Sequence, residues 1–189
     1  MLDTAAGLFY AGGVHEVGMD ELVRETGLGK ATVYRLFPTK DALVGAYLQR
    51  LAVDILGQID AQADRAEQPA TALHDVLSAV QADLARPEFR GCAFNNASIE
   101  YAEPQHPARV AAREYRSALH DRLRRLADRV LPCRSEAAAA LAGQLATLVD
   151  GAYTSAAHLG PAGPAAAGMA LAHDLVDGAV ASAARPGAR

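Results

Sequence analysis

The stretch Met19-Asp20-Glu21-Leu22-Val23-Arg24-Glu25-Thr26-Gly27-Leu28-Gly29-Lys30-Ala31-Thr32-Val33-Tyr34-Arg35-Leu36-Phe37-Pro38-Thr39-Lys40 reads as two short helices around a glycine turn. Met19, Leu22 and Val23 stand at i, i+3 and i+4, one apolar face of a first helix. Thr26-Gly27-Leu28-Gly29 breaks that pattern, because glycine adopts the backbone angles that end helices. A second pattern places Val33, Leu36 and Phe37 inward and leaves Lys30, Thr32, Tyr34 and Arg35 outward, until Pro38 closes it. Such a pair is a helix-turn-helix, whose second helix can enter a DNA major groove. The outward chemistry suits that use. Arginine grips guanine, threonine touches a base or a thymine methyl, and tyrosine and lysine hold phosphate. From Gly29 to Lys40 there are three cations and no acid, and the only two lysines of the chain, Lys30 and Lys40, both lie here. An ordinary helical hairpin with a solvated charged face is the bland alternative.

Over about its first 50 residues the chain resembles the DNA-binding domain of the TetR family of transcriptional regulators. Leu2-Asp3-Thr4-Ala5-Ala6-Gly7-Leu8-Phe9 is similar to the family's first helix, Gly13 to the turn after it, and Met19–Val23 to the second helix. Gly27–Phe37 resembles the turn and recognition helix, and Lys40-Asp41-Ala42-Leu43 the start of the fourth. Two departures stand out. Family members usually carry a basic or polar arm before the first helix, whereas Met1-Leu2 begins almost inside it, so either the arm is absent or the chain is short at its start. Gly18 stands where Ser or Thr often caps the second helix, and it offers no side-chain acceptor.

Composition agrees with a small all-α protein. The 189 residues can bury a sizeable core, and 51% are apolar, many of them alanine, with aromatics at only 5%. No apolar run reaches the roughly 18 to 20 residues of a membrane span, and Met1-Leu2-Asp3 lacks the basic start of a signal peptide, so a cytoplasmic location is expected. A net charge of −4 argues against indiscriminate nucleic-acid binding, so any attraction to DNA must be local. Two cysteines, Cys92 and Cys133, are too few for a disulfide framework, and none of the six histidines pairs at i, i+4. No metal and no cofactor are expected.

Beyond the head, a long helix is expected from Thr39, its cap, to about Glu67, with Leu43, Tyr47, Leu51, Ile55 and Ile59 on one stripe. Pro69 opens another, ending near Arg86-Pro87, followed by a short segment from Cys92 to Tyr101. Within it, Gly91-Cys92-Ala93-Phe94-Asn95-Asn96-Ala97 resembles a GC-x-F-x-N-A-like sequence in the ligand domain of some TetR-like regulators. From about Ala108 to Leu131, Tyr115, Leu119, Leu123, Leu126 and Val130 form a stripe opposite seven arginines interleaved with acids, which reads as a salt-laced solvent face. Two apolar helices, about Ser135–Leu159 and Pro164–Ala184, close the chain. Helices so poor in charge need a partner.

The expectation is an N-terminal three-helix head, residues 1–46, on a larger helical ligand-binding and dimerisation body, residues 47–189, with about nine helices in all. The resemblance implies a homodimeric regulator, a repressor released from a palindromic operator by a small, mostly apolar ligand. Lys30, Thr32 and Arg35 are expected near base edges, and Tyr34 and Lys40 on phosphate. The ligand is expected among Tyr47, Leu51, Leu77, Phe94, Asn95, Tyr115, Leu119 and Tyr153. The dimer interface is expected on Leu141, Leu145, Leu148, Ala152, Leu171, Leu175 and Val176. A thiol-based redox or electrophile switch through Cys92 is the alternative. An enzyme is not expected: no HExxH, GxSxG or phosphate-binding glycine loop occurs, and Asp150 with His158 is only a pair eight residues apart.

Overall fold

The structure is a computed structural model and describes residues 1–184. Nine helices and no strands occur among the described residues: α1 (Leu2–Gly12), α2 (Met19–Thr26), α3 (Lys30–Leu36), α4 (Lys40–Arg65), α5 (Pro69–Leu84), α6 (Ala93–Ile99), α7 (Pro107–Val130), α8 (Ser135–Leu159) and α9 (Pro164–Ala184). The chain divides into two compact units, Met1–Ile55 with Cys92–Arg116, and Leu56–Gly91 with the chain from Ser117 onward. The first holds α1 to α3, α6, the greater part of α4 and the beginning of α7.

In the first unit, Leu22 of α2 and Leu43 and Leu48 of α4 are fully buried, each contributing about 2 kcal/mol by its removal from water. They share one core with Ala5 and Phe9 of α1, Phe94 and Ala97 of α6 and the alanines Ala108, Ala111 and Ala112 of α7. Small residues let the start of α7 come close: a Cβ on Gly45 would meet the Pro107 Cβ at 2.9 Å. The Tyr47 ring lies tilted 6.0 Å from Phe9, and burial pushes its hydroxyl pKa up to about 12.

The second unit is alanine-rich. Leu145 and Met169 are fully buried between α8 and α9, which pack along each other, and α5 lies on both with Leu73 and Leu77 inside. Polar ties are few but well formed. Arg122 grips Asp60 bidentately, Nε to Oδ1 at 2.9 Å and a terminal nitrogen to Oδ2 at 2.7 Å. The Tyr153 hydroxyl donates to Asp83 Oδ2 at 2.7 Å. His74 of α5 and His173 of α9 meet Nδ1 to Nδ1 at 2.7 Å with rings 6° from parallel. Their outer nitrogens reach Asp177 Oδ1 and Gln81 Oε1.

Helix limits follow the expected punctuation. Thr39 caps α4, its hydroxyl accepting the Ala42 N–H at 3.1 Å. The arginine-rich face of α7 departs from a plain solvated surface, because Arg122 is half-buried on Asp60 and Arg116 donates to Asn95 Oδ1 at 2.6 Å. No helix among the described residues is long and apolar enough to cross a membrane.

Candidate nucleic-acid interface

The turn between α2 and α3 is three residues, Gly27-Leu28-Gly29. Gly27 takes a left-handed conformation, φ +64°, and its N–H closes on the Arg24 carbonyl, a conformation that side-chain-bearing residues rarely adopt. The Thr26 hydroxyl donates to the Val23 carbonyl at 3.1 Å, and Gly29 caps α3 through its own carbonyl, which accepts from Thr32 and Val33. Val33 is fully buried and anchors the helix.

Around that anchor Lys30, Tyr34 and Arg35 are exposed and Thr32 is half-buried. Lys30 Nζ donates to Asp20 Oδ1 at 2.8 Å, the principal reason its pKa is held above the ordinary lysine value, and it also lies 5.8 Å above the Tyr34 ring. Arg35 makes no hydrogen bond or ion pair among the described residues. Lys40 Nζ donates to the His15 carbonyl at 3.1 Å, which leaves two of its three N–H groups for another acceptor. One expectation fails here. Leu36 is not inward but 53% exposed, because α3 ends on it and Phe37 turns out of the helix (φ −135°, ψ 96°) to take the half-buried place.

The entry and exit of this helix pair are held from a distance. Glu100 Oε1 accepts the Val14 N–H at 2.9 Å, and Oε2 accepts the His15 N–H at 2.6 Å and His15 Nδ1 at 3.0 Å. Partial burial would push the Glu100 carboxyl up, but those donors outweigh it and hold it below its ordinary value. Tyr101 stacks on His106 at 3.4 Å. His106 is buried, and its Nδ1 accepts the Ala108 N–H at the start of α7. Its Nε2 lies 3.3 Å from Asp41 Oδ1 without the alignment of a hydrogen bond. Sequence reasoning assigned Glu100, Tyr101 and His106 no role.

Of the residues expected to hold a ligand, Tyr47, Leu51, Phe94, Asn95 and Tyr115 fall in the first unit and Leu77, Leu119 and Tyr153 in the second. The first group includes one close pair, Phe94 and Tyr115 stacked at 3.8 Å. Leu77 is fully buried in the second unit, where Tyr153 packs on Phe89. An open polar groove of about 720 Å³ beside Gln62, Arg65, Thr71 and Asp75 contains none of the eight. Of the expected dimer residues, Leu141, Leu145, Ala152 and Val176 are buried within the chain, Leu148 and Leu175 are half-buried, and Leu171 is 50% exposed. Leu141 and Leu175 also line a shallow depression of about 280 Å³. Cys92 is half-buried and Cys133 exposed. No group of three or more His, Cys, Asp or Glu side chains among the described residues is disposed to hold a metal ion.

Residues 1–47 match the family model of bacterial regulatory proteins of the tetR family. A search of curated proteins finds no match. Among solved structures, a TetR-family transcriptional regulator from Streptomyces coelicolor is 30% identical, with a TM-score of 0.83 over 97% of this chain and 94% of that one. A putative TetR transcriptional regulator from Streptomyces avermitilis is 28% identical, TM-score 0.77, over 93% and 95% of the two chains. The reduced form of Escherichia coli NemR, 18% identical over 97% and 92% of the chains, shares the fold with a TM-score of 0.67. With a helix-turn-helix of this geometry at its start and a relative of that identity matched almost end to end, the chain belongs to the TetR family of transcriptional regulators.

Proposed function

We propose that the protein is a homodimeric repressor that works in the cytoplasm and leaves a near-palindromic operator when a small, mostly apolar ligand binds. The observation that carries this reading is the presentation of α3: Val33 fixes the helix while Arg35, Tyr34 and Lys30 face outward beyond a rigid turn. Arg35, Lys30 and Thr32 reach base edges, and Tyr34 and Lys40 hold phosphate. Residues 1–46 act as the DNA-binding domain, and residues 47–189 bind the ligand and pair the chains. Two copies would set their recognition helices in successive major grooves, roughly 34 to 36 Å apart.

Support for pairing through α8 and α9 comes from their scarcity of charge and from the apolar side chains left outside, Leu159, Leu171 and Val180. For the ligand, the Phe94–Tyr115 stack beside Asn95 offers apolar walls with an orienting amide. Such a ligand acts by favouring the state whose heads do not fit the operator.

Selection of duplexes from random DNA by the purified protein tests the reading. The expected product is a twofold-symmetric sequence with half-sites about 10 base pairs apart, bound by two chains and released by a compound from a lipophilic panel. A protein that enriches no sequence, or binds as single chains, would overturn it.

A further inference from the structure

The helix-turn-helix runs from Met19 to Leu36, and the turn before it and the start of the helix after it both meet one short piece of chain, Glu100 to His106. On the entry side, Val14 and His15 lie in the turn between α1 and α2, after Gly13 at φ +90°. Their N–H groups belong to no helix, and Glu100 accepts both, with the His15 ring as a third donor. Lys40, the first residue of α4, closes the same turn from its other side through the His15 carbonyl. On the exit side, His106 reaches towards Asp41 while Tyr101 stacks on it, and the Tyr101 ring also lies 5.1 Å from that of His15.

We infer that Glu100 is a positioning residue for operator binding: its carboxylate, fixed to the end of α6, sets the attitude of the helix-turn-helix without itself touching DNA. Two features carry this. First, Glu100 accepts both N–H groups of the turn that leads into α2, and as an acid it adds no attraction to phosphate, so any aid it gives to operator binding comes through position. Second, the groups it fixes are backbone amides, so the bonds set the path of the main chain itself and not merely a side chain. The inference rests on DNA binding by the family and not on the identity of the ligand.

The test compares native protein, Glu100→Ala and Glu100→Gln on a duplex selected by the native protein and on an unrelated duplex, over a range of salt. Circular dichroism checks folding, and amide exchange is followed at Val14 and His15. In Glu100→Ala both amides should exchange faster, and affinity for the selected duplex should fall about tenfold, as expected for lost hydrogen bonds to a charged group. The salt slope should stay unchanged, because no phosphate contact is removed. Glu100→Gln, equally uncharged but retaining an acceptor, should lie between native and Ala. If charge alone mattered, both variants would instead bind every duplex more tightly than native. That result, or an Ala variant within twofold of native on the selected duplex, overturns the assignment. Should the Ala variant not fold, Gln decides: a loss of at least about threefold supports the assignment, and anything smaller overturns it. A native protein that selects no duplex overturns DNA recognition itself, a separate and recognisable failure.

Discussion

In the unit that carries the recognition helix, segments some 85 residues apart are fastened by hydrogen bonds that two backbone amides donate to one carboxylate, and a buried imidazole accepts the N–H of Ala108 at the start of α7. In the other unit, α8 and α9 meet over Ala138, Ala142, Leu145, Met169 and Ala172, with little besides apolar contact along their length. Apolar packing is strong but non-directional, so it suits a part that must hold together. Hydrogen bonds are weaker in net terms yet fix distance and angle, so they suit a part that must be aimed. On this contrast, damage to the seam of α8 and α9 shows as lost stability, and damage to the bonds at Val14 and His15 as lost DNA recognition.

The hardest blow to the second unit is Leu145→Ala, which should cost about 2–5 kcal/mol in urea unfolding, because the side chain is fully buried and its removal leaves a cavity. A cost below about 1 kcal/mol would mean that α8 and α9 are loosely packed and would break the contrast. In the first unit a comparable stability effect is expected at high pH. Burial raises the Tyr47 pKa to about 12, above its unfolded value, so its contribution is intact below pH 10 and lost as pH climbs from there towards 12. A rise of that size corresponds to about 2–3 kcal/mol, and Tyr47→Phe should remove the dependence from alkaline unfolding curves.

Arg35→Ala sharpens the comparison on the side of function. It should leave the unfolding midpoint unmoved, since the side chain is exposed, yet cost roughly 1 to 3 kcal/mol of operator affinity and blur selectivity at one base pair. Retention of both affinity and selectivity in gel shifts would remove Arg35 from the base contacts. Arg122→Lys should be smaller, about 1 kcal/mol in thermal unfolding, because a lysine cannot reproduce the two-pronged grip on half-exposed Asp60. The smallest effect belongs to His173. Burial first, then the neighbouring His74, holds its pKa below the ordinary value against the pull of Asp177 and Asp174, while Gln81 meets its outer nitrogen. A lowered histidine pKa gives stability that is present above about pH 6.5 and is lost as pH falls. His173→Asn should flatten that acid limb.

Much of this organisation is legible along the chain. Gly27 and Gly29 punctuate the turn, Thr39 announces its helix, and Pro132 and Pro164 bound α8 and α9, because caps and breakers act within a few residues of where they stand. Leu36 misled because an i, i+3, i+4 pattern presumes that the helix continues, whereas α3 stops on that residue and leaves about half of it exposed. Glu100 was illegible for a different reason: it meets main-chain amides, which every residue but proline possesses, so neither partner's identity marks the pairing. Arg116 and Arg122 likewise share a charge pattern with their solvated neighbours and differ only in what α7 happens to pass.

The bond between Lys30 and Asp20 bears on how binding would respond to ionic strength. A free cation arriving at a phosphate sheds small ions from the DNA, and each such arrival steepens the response to salt. Lys30, proposed to lie at a base edge, would instead arrive paired with a carboxylate of its own chain, and in turning to the DNA it would give up that partner and leave Asp20 near the duplex. A tally of the three positive side chains between Gly29 and Lys40 therefore overstates the steepness. With a net charge of −4 as well, attraction at long range would be muted, and close fit would decide which sequences are kept.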